Sequence, residues 1–162
     1  MFIVFLLHLN IMALIQGNLD RKGRAFVEVT ITPSLLYRMA IGLNKFSDAR
    51  NHLGIAGNFQ YKGLALIDTG ATVSSIDVGV AKKIGLVSKG PVPVDTPKGN
   101  HDYDAFDIDL YISMQGKLSL LENKIVIASF LKAQGVDMLI GADIIRLGTL
   151  IFDRGATFKF SI

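Results

Sequence analysis

The sequence predicts a single, mostly β-sheet domain with two short helices. Apolar and polar residues alternate along three segments, a pattern typical of strands with one face on a core and one in water. These segments are residues 23–31, 106–112 and 158–162. The chain has 162 residues, half of them hydrophobic and only 19% charged, which is enough to bury the core of one domain and argues against disorder.

Two further strand regions are predicted from local composition. Residues 64–67 are continuously apolar and are expected to form a short, fully buried strand. The longer segment 59–67 reads as a hairpin that turns near Lys62 and Gly63. A second pair of strands is predicted on either side of Glu122 and Asn123, at residues 117–121 and 124–128.

The two helices are predicted from their end signals. Ser75 or Asp77 is suited to cap a helix over residues 80–84, and Gly85 is suited to end it. A second brief helix is expected over residues 143–147, because Gly148 follows it.

Composition excludes several classes of function. The net charge of +3 is small, and no run of Lys and Arg is interleaved with aromatic residues, so no nucleic-acid partner is expected. The chain has no cysteine, which excludes disulfides and a cysteine nucleophile. His8, His52 and His101 are far apart in the sequence and lack metal-ligand spacing, so no metal or other cofactor is expected. The acidic residues Asp102, Asp104, Asp107 and Asp109 match no calcium-loop pattern, and we interpret them as the water-facing side of a strand.

The N-terminus forms a separate segment over residues 1–16, ahead of the domain at 17–162. Residues 1–15 are mostly apolar but are short for a membrane span, which needs about 20 apolar residues. They also lack the basic start and small-residue cleavage site of a signal peptide. The segment is therefore a poor signal, a membrane anchor, a packed part of the fold or a lead-in before Met12. We expect a cytoplasmic protein, with export or membrane anchoring through residues 1–15 as the alternative.

Chemistry is concentrated where the apolar run 64–67 meets Asp68, Thr69 and Gly70. A strand that ends on an aspartate holds its carboxylate at the edge of a core. By itself, Asp-Thr-Gly is also an ordinary turn. The longer string from Ala65 to Thr72, however, resembles the active-site signature of retropepsin-like aspartic proteases, including their stand-alone bacterial members. The downstream string Leu139-Ile140-Gly141 resembles the second signature of that family, and the resemblance covers residues 59–162.

The resemblance implies a fold and a set of roles. The fold would be the single-lobed acid protease β-barrel with short helices, closed by homodimerisation. Asp68 would be the catalytic residue, within an active-site loop that continues through Thr69, Gly70, Ala71 and Thr72. Leu139, Ile140 and Gly141 would pack beneath this loop. A hairpin built from residues 91–112 would be the flap over the substrate, with its tip at Thr96, Pro97, Lys98, Gly99 and Asn100.

The family pattern also marks departures in this chain. Residues 33–57, with a helical turn over 34–40, are interpreted as an insertion between the first strand and the catalytic one. Retroviral members often pair an Asp with an Arg at the positions that Thr72 and Ala142 occupy here. Both partners are absent together, so neither charge is left without the other.

Aspartic proteolysis needs two carboxylates, and the sequence has a single Asp-Thr-Gly. The resemblance therefore implies a homodimer that cleaves a peptide or protein, with Asp68 of both chains meeting at a two-fold axis. The terminal residues 158–162 are expected to contribute to that interface. The alternative is a homodimeric peptide-binding or scaffolding module that has the same fold without catalysis.

Overall fold

The computed structural model describes residues 14–40, 59–96, 99–153 and 156–162. Within these ranges the chain is mostly β-sheet, which confirms the predicted fold class. The strands are β1 (Leu14–Asn18), β2 (Ala25–Pro33), β3 (Tyr61–Ile67), β4 (Ser75–Asp77), β5 (Pro91–Thr96), β6 (Gly99–Met114), β7 (Lys117–Ser129), β8 (Met138–Ile140), β9 (Thr149–Asp153) and β10 (Thr157–Ser161). The helices are α1 (Leu35–Ala40), α2 (Val78–Lys83), α3 (Ala142–Ile145) and a 3-10 turn at Lys132–Gln134.

Seven of the described strands form one sheet, six of which close into a barrel. Their order is β2-β3-β8-β4-β7-β6-β5, and a further pairing between β2 and β6 closes the sheet on itself. β5 pairs only with the first part of β6, so it projects from the barrel as one arm of a hairpin. Alternate residues of β2 point inward, with Val27, Val29 and Ile31 fully buried, as the alternation predicted.

The remaining three strands form a second sheet in the order β1-β10-β9. Phe158 and Phe160 of β10 are fully buried and join Ile15 of β1 in the core of the domain. The predicted terminal strand is therefore confirmed.

The predicted hairpin at Lys62 and Gly63 is wrong, because β3 runs without a turn from Tyr61 to Ile67. Gly63 serves a close approach instead: a Cβ at this position would lie 2.5 Å from a carboxylate oxygen of Asp137. The prediction that residues 64–67 are fully buried is also wrong, since Leu64 is 37% exposed.

The predicted pair of strands at 117–128 is likewise a single strand, β7. Its register against β6 shifts between Ile108 and Leu110, which leaves Glu122 and Asn123 opposite Asp109. Asp109 is only 3% exposed, so the interpretation of this residue as water-facing is wrong. Its carboxylate accepts hydrogen bonds from the backbone N–H groups of Leu35 and Asn123, both at 2.9 Å, and thereby holds the bulge and the start of α1.

The helices agree with the sequence analysis. Asp77 caps α2 by accepting a hydrogen bond from Gly79 N at 2.9 Å, and Gly85 ends the helix region with a positive φ of 66°. The turn predicted over 34–40 is α1. The rest of the proposed insertion, residues 41–57, and the N-terminal residues 1–13 lie outside the described part of the chain. No helix among the described residues is long and apolar enough to span a membrane.

Candidate active site

Asp68 is the first residue after β3, at the end of a strand that is paired on both sides. Ile67 is opposite Ala25 of β2 and opposite Ile140 of β8. The backbone N–H of Asp68 continues the pairing with β8 by donating to Ile140 O at 2.9 Å. The sheet thus fixes the backbone that carries this carboxylate.

The loop after Asp68 is a tight turn held by the aspartate itself. Gly70 N donates to Asp68 Oδ1 at 2.9 Å, and Ala71 N donates to Asp68 O at 3.2 Å. Asp68 is half-buried, whereas Thr69 and Gly70 are exposed. This arrangement leaves the turn at the surface of the chain with its carboxylate oriented by a backbone N–H.

Gly141 lies directly against this loop. A Cβ at Gly141 would lie 2.7 Å from the carbonyl carbon of Val73 and 3.0 Å from Ala71 O, so only glycine fits. The next residue, Ala142, donates its N–H to Ala71 O at 2.8 Å. Leu139 and Ile140 belong to β8, which runs parallel to β3 and so arrives at the same end of the barrel.

A buried polar cluster of Ser74 and Asp143 also joins the loop to α3, and the sequence analysis missed it. The carboxylate of Asp143 accepts a hydrogen bond from Ser74 Oγ at 2.7 Å and from Ser74 N at 3.0 Å. Ser74 Oγ in turn accepts from Gly141 N at 2.9 Å, and Ser74 is fully buried. Ile144 N donates to the same carboxylate at 2.9 Å.

This cluster connects the two segments at which an Asp–Arg pair is often found in the retroviral members of the family that the sequence resembles. Thr72 is exposed and Ala142 is half-buried, and neither carries a charge. Ser74 and Asp143, placed just beyond those two positions, tie the same two segments together. In the sequence, Ser74 lies shortly after the Asp68 signature and Asp143 shortly after the Gly141 signature. A serine and an aspartate at such positions are too common to indicate a contact.

The predicted flap is a hairpin of β5 and the first residues of β6. Its register pairs Thr96 with Gly99, and Thr96 Oγ1 donates to Gly99 O at 2.8 Å. Asn100 Nδ2 donates to Asp95 Oδ1 at 3.1 Å across the two arms. The tip residues Pro97 and Lys98 lie outside the described part of the chain.

The flap rises from the same end of the barrel as the active-site loop. Ala105, at the base of the hairpin, is opposite Ile127 of β7, and Ile127 is opposite Ser75 of β4. Neighbouring strands lie about 4.8 Å apart, so Ala105 is roughly 10 Å from Ser75, which lies two strands away. The hairpin therefore starts two strands away from the end of the loop.

The acidic residues near the flap do not form a metal site. Asp102 and Asp104 are exposed, and Asp107 forms an ion pair with Lys89 at 2.9 Å. Among the described residues, no group of three or more histidine, aspartate or glutamate side chains is placed to hold an ion. His101 is exposed, while His8 and His52 lie outside the described ranges.

The carboxylates of Asp77 and Asp137 have lowered pKa values, and both have structural roles. Burial by itself raises the pKa of Asp77, but hydrogen bonds from the backbone of Leu131, Gly79 and Lys132 outweigh it and leave this pKa below its usual value. For Asp137, burial is likewise outweighed by hydrogen bonds from Lys132, Leu64 N and Tyr61, which lower its pKa. Asp137 immediately precedes β8 and lies beside Gly63 and Leu64 in the middle of β3, four residues before Asp68 along that strand.

A concavity of about 910 Å³ lies on the outer wall of the barrel, away from Asp68. It is lined by outward residues of β2, β3 and β6, including Glu28, Lys62 and Tyr111. Asp68 and the flap residues are not among the residues that line it. The half-buried carboxylate of Asp68 therefore lies outside this concavity.

Comparisons with known proteins agree with this geometry. A family model described as aspartyl protease matches residues 54–144, more than half of the chain, including both signatures. A solved structure of a retropepsin-like aspartic protease from Rickettsia conorii superposes with a TM-score of 0.53 at 13% identity, covering 91% of this chain and 89% of that one. No curated protein sequence matches. The fold is therefore retropepsin-like, and the chain belongs to the aspartyl protease family.

Proposed function

We propose that this chain is an endopeptidase whose active site forms between two copies, with one Asp68 from each at a homodimer two-fold axis. The observation that carries the proposal is the placement of Asp68 in an exposed turn at the end of a doubly paired strand. The sequence offers no second Asp-Thr-Gly: Asp95-Thr96 is followed by Pro97, and Asp153 is followed by Arg154 and Gly155. A second copy supplies the missing carboxylate most simply.

The chemistry follows from two carboxylates that share one proton. Like charges about 3 Å apart cannot both be ionised cheaply, so one carboxyl remains protonated while the other is a base. The ionised carboxylate takes a proton from water as its oxygen attacks the carbonyl carbon of the peptide bond. The protonated carboxyl gives its proton to the carbonyl oxygen. Collapse of the tetrahedral intermediate then breaks the C–N bond. The carboxyl that took a proton from water passes it to the leaving amine, and the other carboxylate recovers a proton from a hydroxyl of the intermediate, which restores the shared proton.

The substrate in this proposal is an extended peptide lying between the active-site loops and the two flaps. Gly70 is exposed beside Asp68 and lacks a side chain, so its backbone is open to a peptide. The flap arm β5 closes over the peptide from above. Such a cleft has one wall from each chain, so it is complete only in the dimer, and the exposed turn at Thr69 and Gly70 would face the second chain.

The first test compares the wild type with Asp68→Asn on a peptide library from acidic to neutral pH. We expect cleavage by the wild type with a bell-shaped pH dependence, because the pair works only when it holds one proton. Asp68→Asn should lose at least about 1,000-fold in kcat/KM, since it removes the base and the acid together. Glu122→Gln, at an exposed position on β7, is the control and should cleave normally.

The second test asks whether two chains share the site. Wild type and Asp68→Asn are mixed in equal amounts and allowed to exchange subunits at constant total concentration. Random pairing places two wild-type chains in about one quarter of the dimers. A shared site therefore predicts about one quarter of the wild-type activity, whereas independent chains would retain half.

The competing function is a binding module with the same fold. Peptide binding by both proteins without cleavage at any pH would favour that function. Cleavage by Asp68→Asn at the wild-type rate would instead overturn the proposed mechanism, although the protein would still be a peptidase.

A further inference from the structure

The terminal strand β10 is not available to pair with another chain. It lies in the middle of its sheet, with β1 along one edge and β9 along the other. Its large side chains, Phe158 and Phe160, are fully buried in the core of the same chain. Residues 158–162 are expected to contribute to a dimer interface, and this topology leaves them to do so through the sheet that they complete rather than through an open edge of β10.

The strand beside it, β9, is an edge strand among the described residues, because it pairs with β10 alone. It also carries exposed apolar side chains: Ile151 is 53% exposed and Phe152 is 46% exposed. Edge strands of soluble proteins are usually protected by lysine, proline or a bulge. The sequence Thr-Leu-Ile-Phe-Asp of β9 has none of these, and its one charge is at the end.

The position of β9 suits a shared active site. α3 begins with Ala142, whose N–H donates to Ala71 O of the active-site loop. The helix has four residues, and β9 starts four residues after its end. At the rises of helix and extended chain, Thr149 is at most about 20 Å from the loop. Leu147, on the path between them, is also exposed.

The other edge of this sheet is less suited to a partner. Of the side chains that β1 exposes, only Leu14 is apolar, whereas Gln16 and Asn18 are polar. β1 is also tied to the barrel, since the bridge between Leu19 and Ala25 links its end to β2. The two edges thus differ in polarity, and the apolar one is β9.

We propose that β9 pairs antiparallel with β9 of a second copy of this chain, forming one six-stranded sheet across the dimer. This inference rests on the proposed function, which requires a two-fold axis near Asp68. A two-fold axis perpendicular to a sheet relates two edge strands in antiparallel fashion, so one strand is complementary to itself. The pairing satisfies the open backbone edge and buries apolar surface on both faces of the sheet, Ile151 on one face and Phe152 on the other.

The test introduces a charge on this edge and on a matched control. Ile151→Lys places a lysine on β9, and Ile125→Lys places one on β7 of the barrel; both isoleucines are 53% exposed. Each protein is followed by sedimentation velocity over a dilution series, with circular dichroism to confirm folding. We expect Ile151→Lys to raise the dimer dissociation constant at least about 100-fold, because two isoleucines lose their burial and two charges approach. Ile125→Lys should associate like the wild type.

The outcomes separate this inference from the proposed function. A folded Ile151→Lys that dimerises like the wild type overturns the β9 interface, while the mixing test with Asp68→Asn still decides whether the site is shared. A monomeric Ile151→Lys with full activity at high dilution supports the interface and overturns the shared site. A wild type that remains monomeric at every concentration overturns both.

A cross-linking experiment provides an independent readout. The natural chain has no cysteine, so a single Ile151→Cys introduces the only thiol. Residue 151 is the middle of β9, and facing residues of an antiparallel pair have Cα atoms 4.5–5.5 Å apart, within the range of a disulfide. We expect mild oxidation to give a covalent dimer of Ile151→Cys and not of Ile125→Cys. Equal, slow cross-linking of the two variants would count against the interface.

Discussion

The same chemical pair, a serine hydroxyl on an aspartate at 2.7 Å, occurs once at the active-site loop and once at the base of the flap. Ser74 donates to Asp143 in a cluster where Ser74 is fully buried and the carboxylate also accepts two backbone N–H groups. Ser88 donates to Asp104 at an exposed site, with Ser88 Oγ accepting only from Gly90 N among the contacts described.

The difference between these two pairs shows how the fold divides its rigidity. Breaking a buried hydrogen bond is costly because its donor and acceptor have no water to bind instead. The donor and acceptor of an exposed hydrogen bond can bind solvent when the bond is broken. The loop that carries Asp68 is therefore fixed by the barrel and α3. The hydrogen bonds described at the flap tip join its two arms to each other, which suits a cover that must open for substrate. The following predictions test this division, from the largest effect to the smallest.

Amide hydrogen exchange should differ most between the two regions. We expect the N–H groups of Gly99 and Asn100 to exchange at least about 1,000-fold faster than those of Asp68 and Ala142, since the flap opens locally and the loop opens only with the domain. A peptide analogue with a tetrahedral hydroxyl-bearing centre should slow exchange in the flap. Exchange in the flap that is unchanged by such a bound inhibitor would contradict its assignment.

Removal of the two aspartates should then have very different costs. Asp143→Ala leaves Ser74 N and Ser74 Oγ without the carboxylate that accepts from them, and it should lower the free energy of unfolding by about 3 kcal/mol. Asp104→Ala removes an exposed acceptor and should change it by less than about 0.5 kcal/mol. Urea denaturation of both variants measures the contrast, and similar losses for the two would show that burial is not the deciding factor.

The last and smallest contrast concerns Asp77, a buried carboxylate three residues beyond Ser74. The pKa of Asp77 is lower in the folded state than in the unfolded state. Its contribution to the free energy of unfolding is therefore fully present above its pKa in the unfolded chain, about 3.9, and is lost as the pH falls through its pKa in the folded protein. Asp77→Asn should be less stable than the wild type by about 1–2 kcal/mol at pH 7, because Asn offers one acceptor oxygen in place of two.

This difference should narrow as the pH is lowered towards 2, where the wild-type carboxyl is protonated as well. Unfolding free energies measured from pH 7 to pH 2 check this expectation. A difference in unfolding free energy between the wild type and Asp77→Asn that stays constant with pH would show that folding does not change the pKa of Asp77.

Local sequence determined those elements whose pattern is short-range. Strict alternation gave correct strands at β2 and β10, and the cap at Asp77 with the stop at Gly85 gave α2. The Asp68 motif and the Gly141 motif were recognisable as a pair, and the fold comparison and family match agree with them. Side-chain period and turn chemistry are properties of neighbouring residues, so they are readable without the rest of the chain.

Only the tertiary structure decided the roles of residues whose partners are distant in sequence. Gly63 looked like a turn residue but is a point of close approach to Asp137, and Asp109 looked solvated but caps α1 and the bulge at Asn123. Ser74 and Asp143 meet across 69 residues. The position of the terminal strand β10 between β1 and β9 was likewise not readable from its own residues. Each of these outcomes depends on which strands become neighbours, and that is set by packing of the whole barrel rather than by any local pattern.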